Sequence, residues 1–280
     1  LLELPVDLAR ELPVSATPGD RLSRAFSLRL DDLPGSGRFG LLLAAAAIPL
    51  GETIGTPVLV GIASAALASV HAWRGQSEPC REGARTAIAA AVSTGDRYQE
   101  SLANQSLALL ALGGGDPDEA VFVLEPFARR WAESSVVEPG VVPFVPDLIE
   151  AHARAGATAE ARGWLDAFSA IAYNAGSTWA LATCARCEGL LAGGDAFDLH
   201  FQRSLELLER SPYRLELART QLAYGECLRR EGRRRDARPH LRAAHEAFAA
   251  VAAVPWLERA ATELRAISET VEGSGRRDDR

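Results

Sequence analysis

Apolar residues return every three or four positions along most of the chain, the spacing of an amphipathic helix and not of a strand. Between Tyr98 and Leu112, the residues Leu102, Leu107, Leu110 and Leu112 stand among alanines. Between Leu215 and Leu228, the same role falls to Leu217, Leu222, Tyr224 and Leu228. From Ala237 to Val251, one stripe carries Leu241, Ala244, Phe248 and Val251. A last helix is expected from about Pro255 to Val271. Alternating Val/Ile/Thr runs, the mark of half-buried strands, are nearly absent, so the fold class expected is all-α.

The helical segments are punctuated at a period of about forty residues. The marker is a short glycine loop followed by a new helix. Its five copies read Gly75-Gln-Ser-Glu-Pro-Cys80, Gly115-Asp-Pro-Asp-Glu-Ala120, Gly156-Ala-Thr-Ala-Glu-Ala161, Gly194-Asp-Ala-Phe-Asp-Leu199 and Gly232-Arg-Arg-Arg-Asp-Ala237. Glycine suits the left-handed backbone that ends a helix. Asp116 or Thr158 can cap the helix that follows, with Pro117 in its first turn. In four copies an acidic residue sits four positions after the glycine, where the positive end of the new helix favours it. Ala120, Ala161 and Ala237 are small where two helices of a hairpin should lie closest. Each second helix ends at a polar break, at Ser93-Thr-Gly95, Ser134-Ser135, Asn174-Ala-Gly176 or Ser211-Pro212.

Helix pairs that cannot bury their apolar faces alone must stack. The expected architecture is a tetratricopeptide-like right-handed α-solenoid of about five helix hairpins over residues 51–272. Residues 1–50 precede it as a separate helical segment, and a charged tail over 273–280 is expected to be disordered. The period exceeds the roughly 34 residues of a standard tetratricopeptide repeat, which implies longer helices. A stacked array presents a concave face, the default surface for a peptide, protein or small effector.

Composition narrows the chemistry. Every basic residue is an arginine, so neither an ordinary P-loop, which needs its lysine, nor Schiff-base catalysis is available to these residues. A net charge of −7 argues against a nucleic-acid-binding domain, which would need a basic face. Methionine is absent even at position 1, so the expectation is a fragment, or a chain whose methionines were replaced or omitted. Leu1 to Asp7 lack the basic start of a signal peptide. Thr53 to Trp73 is uncharged and about as long as a membrane span. Its Gly55, Pro57, Gly61, Ser64 and His71, and its many alanines, fit a buried solenoid helix better.

Two stretches carry a resemblance. The segment from Tyr213 to Leu264 contains Glu216-Leu-Ala-Arg-Thr220, Leu222-Ala-Tyr-Gly225, Arg229-Arg-Glu-Gly232, Asp236-Ala-Arg238, His240-Leu-Arg-Ala-Ala244 and Pro255-Trp-Leu-Glu-Arg-Ala260. With Arg186-Cys-Glu-Gly-Leu-Leu191, it resembles the last tetratricopeptide-like repeats of the large ATP-binding LuxR-type transcriptional regulators (MalT-like), over roughly residues 95–270. Near the other end, Ala25-Phe26, Leu33-Pro34, Arg38 and Leu41-Leu-Leu43 resemble the end of the same family's ATPase module. The resemblance implies a cytoplasmic regulatory arm that binds an effector or a protein partner. ATP is implied only for a full-length parent, and DNA only through a helix-turn-helix that these residues lack. No cofactor is assigned to this chain. The alternative is a free-standing scaffold for protein–protein interaction, unrelated to transcription.

No catalytic, cofactor or metal site is assigned. Cys184-Ala-Arg-Cys187 has the spacing of a metal or redox pair, but Cys80 and Cys227 stand alone and no strand precedes the pair. All four cysteines are expected to be free thiols of a reducing compartment. His71, His152, His200, His240 and His245 form no metal-binding motif. Asp31-Asp32 reads as loop charge. The basic run Arg229-Arg-Glu-Gly-Arg-Arg-Arg235 reads as a solvated turn, with contact to a phosphate or an acidic partner as the alternative.

Overall fold

The computed structural model describes residue 44, residues 47–134 and residues 136–273. The stretches resembling an ATPase module, Asp31-Asp32, and the tail beyond 273 lie outside the described residues. All regular structure among the described residues is helical. After a short helical stretch over 47–53 come α1 (Pro57–Trp73), α2 (Ser77–Thr94), α3 (Arg97–Gly114) and α4 (Pro117–Ala132). Then follow α5 (Val145–Arg154), α6 (Thr158–Ala175), α7 (Thr178–Leu191) and α8 (Phe197–Glu209). The last three are α9 (Arg214–Arg230), α10 (Arg234–Ala250) and α11 (Val254–Gly273).

The five marker glycines join α1 to α2, α3 to α4, α5 to α6, α7 to α8 and α9 to α10. All five have positive φ, between 56° and 85°. Local chemistry explains several starts. Asp96 accepts from the Gln99 N–H at 3.0 Å and opens α3. Asp116 accepts from the Glu119 N–H at 3.0 Å and opens α4, with Pro117 next to it. Ser177 accepts from the Ala180 N–H at 3.3 Å and opens α7. Thr158 does not cap: it is the first residue of α6, and the cap position belongs to Ala157, which offers no side-chain acceptor. Ala120, Ala161 and Ala237 are fully buried between paired helices.

Odd and even helices have different neighbours. Each odd-numbered helix packs against the next odd-numbered one, α1 on α3, α3 on α5 and so on to α9 on α11. The even-numbered helices pack mainly on the two helices beside them in sequence. The odd helices therefore form an inner layer and the even helices an outer one. The outer helices are strongly two-faced. In α10 only Ala237, Leu241, Ala244 and Phe248 are buried, a single stripe. The inner helices α5 and α9 are buried nearly all round, from Val145 to His152 and from Ala218 to Leu228 apart from Gln221. The uncharged α1 packs on α2 and α3, and among the described residues no helix is long and apolar enough to cross a membrane.

The inner layer closes on itself. Helix α11 packs not only on α9 and α10 but also on α1 and α3. Its Trp256 is 1% exposed, with its ring 5.4 Å from Trp73 of α1 and 5.9 Å from Phe248 of α10. Glycine permits the approach. A Cβ on Gly113 would sit 2.9 Å from Trp256 Nε1, and one on Gly75 would sit 2.5 Å from Pro255 Cγ. Alanine normally stabilises a helix relative to glycine, so Gly113 tests the closure by sign. Gly163→Ala in α6, where the new methyl meets nothing within 4 Å, should stabilise by about 0.5–1 kcal/mol. Gly113→Ala should instead destabilise by about 1–3 kcal/mol, because the methyl overpacks against Trp256. Urea titration of both variants reads the two signs.

Candidate functional site

The inner helices carry charge where their all-round burial would lead one to expect only apolar side chains. Arg219 of α9 is the centre, at 3% exposure. Its Nη1 lies 2.7 Å from Asp147 Oδ1 and its Nη2 lies 2.6 Å from Glu150 Oε2, both on α5. Glu216, one turn earlier on α9, lies 3.7 Å from the same Nη1 and pairs on its other oxygen with Arg186 of α7. The Arg219 guanidinium also sits over the Trp256 ring, 5.1 Å from its centroid. Arg259 of α11 pairs with Glu226 of α9, lies 3.7 Å from Glu150, and stands over the same ring at 5.7 Å. Arg154 donates to the Leu112 carbonyl at 2.9 Å, tying α5 to the end of α3. Four arginines (154, 186, 219, 259) thus face four carboxylates (147, 150, 216, 226).

Beside this network lies a cavity of about 530 Å³, bounded by the inner helices α1, α3, α5, α7 and α9 and by the segment before α5. Its apolar wall includes Ile62, Trp73, Leu102, Leu109, Trp179 and Leu215, and Tyr98 and Tyr213 also line it. Its polar residues include Gln99, Gln105, Glu138, Asp147, Glu216 and Arg219. Gln105 is held in place, donating to Asp147 Oδ2 at 2.8 Å and to the Pro143 carbonyl at 3.0 Å. Two buried atoms of lining residues, Gln99 Oε1 and Arg219 Nε, have no hydrogen-bond partner. Glu138 and Gly140 are exposed, so the cavity reaches the surface beside them. Apolar walls with a few convergent polar groups are the usual make-up of a small-molecule site.

Burial sets the proton affinities here. It pushes the Asp147 carboxyl above the usual carboxylate range, and neighbouring Glu216 adds to the effect, against the pull of Arg219. Glu150 is buried and Glu216 half-buried, and their arginines overcome that burial and hold both below that range.

The residues singled out in the sequence do not gather at the cavity. Cys184 and Cys187 are fully buried within α7, and Cys187 points its thiol at the Pro146 carbonyl, 3.8 Å away. Burial raises the Cys184 and Cys80 thiols to about 11, so neither is an activated nucleophile at neutral pH. All four cysteines are free. Among the described residues no group of three or more His, Cys, Asp or Glu is placed to hold a metal ion. The histidines lie apart: His152 meets Glu125 and His200 meets Glu188, each at 2.9 Å, while His240 lies against the Tyr224 ring. The run Arg229–Arg235 spans the α9–α10 turn, and Arg229 and Arg233 are paired with Glu263 and with Asp198 and Asp236. No family model matches the chain, and no curated protein is significantly similar to it.

The opposite shifts of Asp147 and Glu150, three positions apart on one helix, give opposite pH slopes. Asp147 binds its proton more tightly in the folded state, so its contribution is largest in acid and shrinks as pH rises through its raised pKa. Glu150 contributes above the ordinary carboxylate range and loses that contribution as pH falls. Unfolding free energies of Asp147→Asn and Glu150→Gln, each taken relative to the parent between about pH 3 and pH 7, should diverge by about 1–3 kcal/mol. The deficit of Glu150→Gln should grow towards neutral pH and that of Asp147→Asn should shrink. Parallel slopes would contradict the assignment.

Proposed function

We propose that this chain is the regulatory sensor domain of a LuxR-type transcriptional regulator of the large ATP-binding (MalT-like) kind. In this reading it is a tetratricopeptide-like right-handed solenoid, cytoplasmic, and without catalytic chemistry of its own. Its effector is a small molecule held in the inner cavity. The observation that carries the reading is the cavity itself, a space of about 530 Å³ with apolar walls and a few polar lining residues, the usual make-up of a small-molecule site. The five glycine-marked hairpins and the Glu216-Leu-Ala-Arg-Thr220 to Pro255-Trp-Leu-Glu-Arg-Ala260 pattern support the family part of the reading.

The position of the cavity supports a sensing role. It is bounded by five inner helices, and Arg219 at its edge touches α5, α9 and Trp256 of α11. A ligand there acts on contacts that join distant parts of the array. Ligand binding to the folded state alone raises stability by about 2.7 kcal/mol at a hundredfold excess over Kd.

The test is a thermal-shift screen of metabolites against the chain and against Ser69→Trp. Ser69 is a half-buried lining residue of α1, and tryptophan there fills the cavity. At least one metabolite should raise Tm of the parent and leave Ser69→Trp unmoved. Hits that shift both equally, or a library without hits, would overturn the cavity as the effector site and leave the protein-scaffold reading. The family reading has its own test in the gene. A P-loop ahead of these residues and a helix-turn-helix after them are expected, and a gene with neither would overturn it.

A further inference from the structure

We propose that the ligand of the inner cavity is a small organic cation, a protonated amine carried on an apolar, aromatic-sized body. The inference rests on the reading of the cavity as an effector site and adds the chemical class of the effector.

The first argument is charge. Three carboxylates, Glu138, Asp147 and Glu216, line the cavity against a single lining cation, Arg219. That cation is already committed, with one nitrogen 2.7 Å from Asp147 and the other 2.6 Å from Glu150. The four network arginines balance the four network carboxylates, so Glu138 at the surface end is the carboxylate left over. An incoming anion would have to compete with three carboxylates for Arg219. An incoming cation meets the uncompensated carboxylate of Glu138 at the mouth of the cavity.

The second argument is the hydrogen-bond inventory. Gln99 is 5% exposed and lines the cavity, and its Oε1 accepts from nothing in the protein. With its amide flipped, Gln99 turns this oxygen to the cavity, where an ammonium group donates to it.

The third argument is the wall. Trp73, Tyr98, Trp179 and Tyr213 are among the lining residues. Ring faces attract cations, and the same interior already pairs Arg219 and Arg259 with the Trp256 ring. A cation near Asp147 also relieves the desolvated carboxylate, whose burial otherwise favours its neutral form.

Three probes of one shape separate the charge requirement from the cavity itself: tryptamine (cation), tryptophol (neutral) and indole-3-acetate (anion). By calorimetry and thermal shift, tryptamine should bind at least about tenfold more tightly than tryptophol, with indole-3-acetate weakest. Glu138→Gln and Gln99→Leu should each weaken tryptamine by roughly three- to tenfold and change tryptophol little. Neither residue belongs to the Arg219 network, and Glu138 is exposed, so at least one variant keeps the fold. Equal or tighter binding of tryptophol or indole-3-acetate would overturn the proposal, as would no binding of tryptamine at millimolar concentration. Unchanged tryptamine binding to Ser69→Trp would overturn it too, by placing the cation elsewhere. Where a neutral or anionic probe binds and Ser69→Trp abolishes that binding, the effector cavity stands and the cation falls, so the two failures are told apart.

Discussion

Arg219 is fixed by two carboxylates from α5 and covered by an indole from α11, while its own helix supplies a third carboxylate a turn away. A buried guanidinium tolerates few arrangements. Taking charges from water costs several kcal/mol per ion, and only near-ideal partners recover it. Sliding α5 by one turn, or withdrawing α11, would leave a charge without its partner. The network therefore selects one packing of the inner helices more than it adds stability. Charge here acts beside large buried side chains such as Leu112, Leu148, Ile149, Leu222 and Trp256 in favouring one packing register.

The closure changes what a concave face means in this molecule. An open array offers a long groove, suited to extended peptides. Here α11 is seated on α1 and α3, with Trp256 packed across their ends, and the inner helices α1 to α9 enclose a cavity. The size and polarity of that cavity suit a compact ligand better than a polypeptide.

Much of the helical layout was legible in the sequence, because a helix buried on one side writes its period into the chain. The stripe Leu241, Ala244, Phe248 in α10 is of this kind, and the Asp116 cap of α4 was legible beside it. Thr158 misled because its hydroxyl sits one residue too late to cap α6. The charged network was not legible, for a physical reason. A helix buried all round has no polar face to set its phase, so Arg219 and Glu226 read as ordinary surface charges. Their seven-residue spacing, with Glu216 one turn ahead of Arg219, was the available signal, since it puts all three on one side of α9. The closure was also hidden, because no local pattern tells Gly113 that Trp256 will arrive from the far end of the chain.

The seating of Trp256 on Gly113 has a consequence for how such a protein can evolve. Repeat arrays commonly grow or shrink by whole units, since each unit answers only to its neighbours. Here α1 and α11, distant in sequence, meet through Trp73 and Trp256. Duplicating or deleting a hairpin would carry α11 past or short of the groove at the end of α3, and would strand the Arg259 and Arg219 pairings with it. The number of helices between α1 and α11 is therefore constrained by this contact, as the circumference of a ring is.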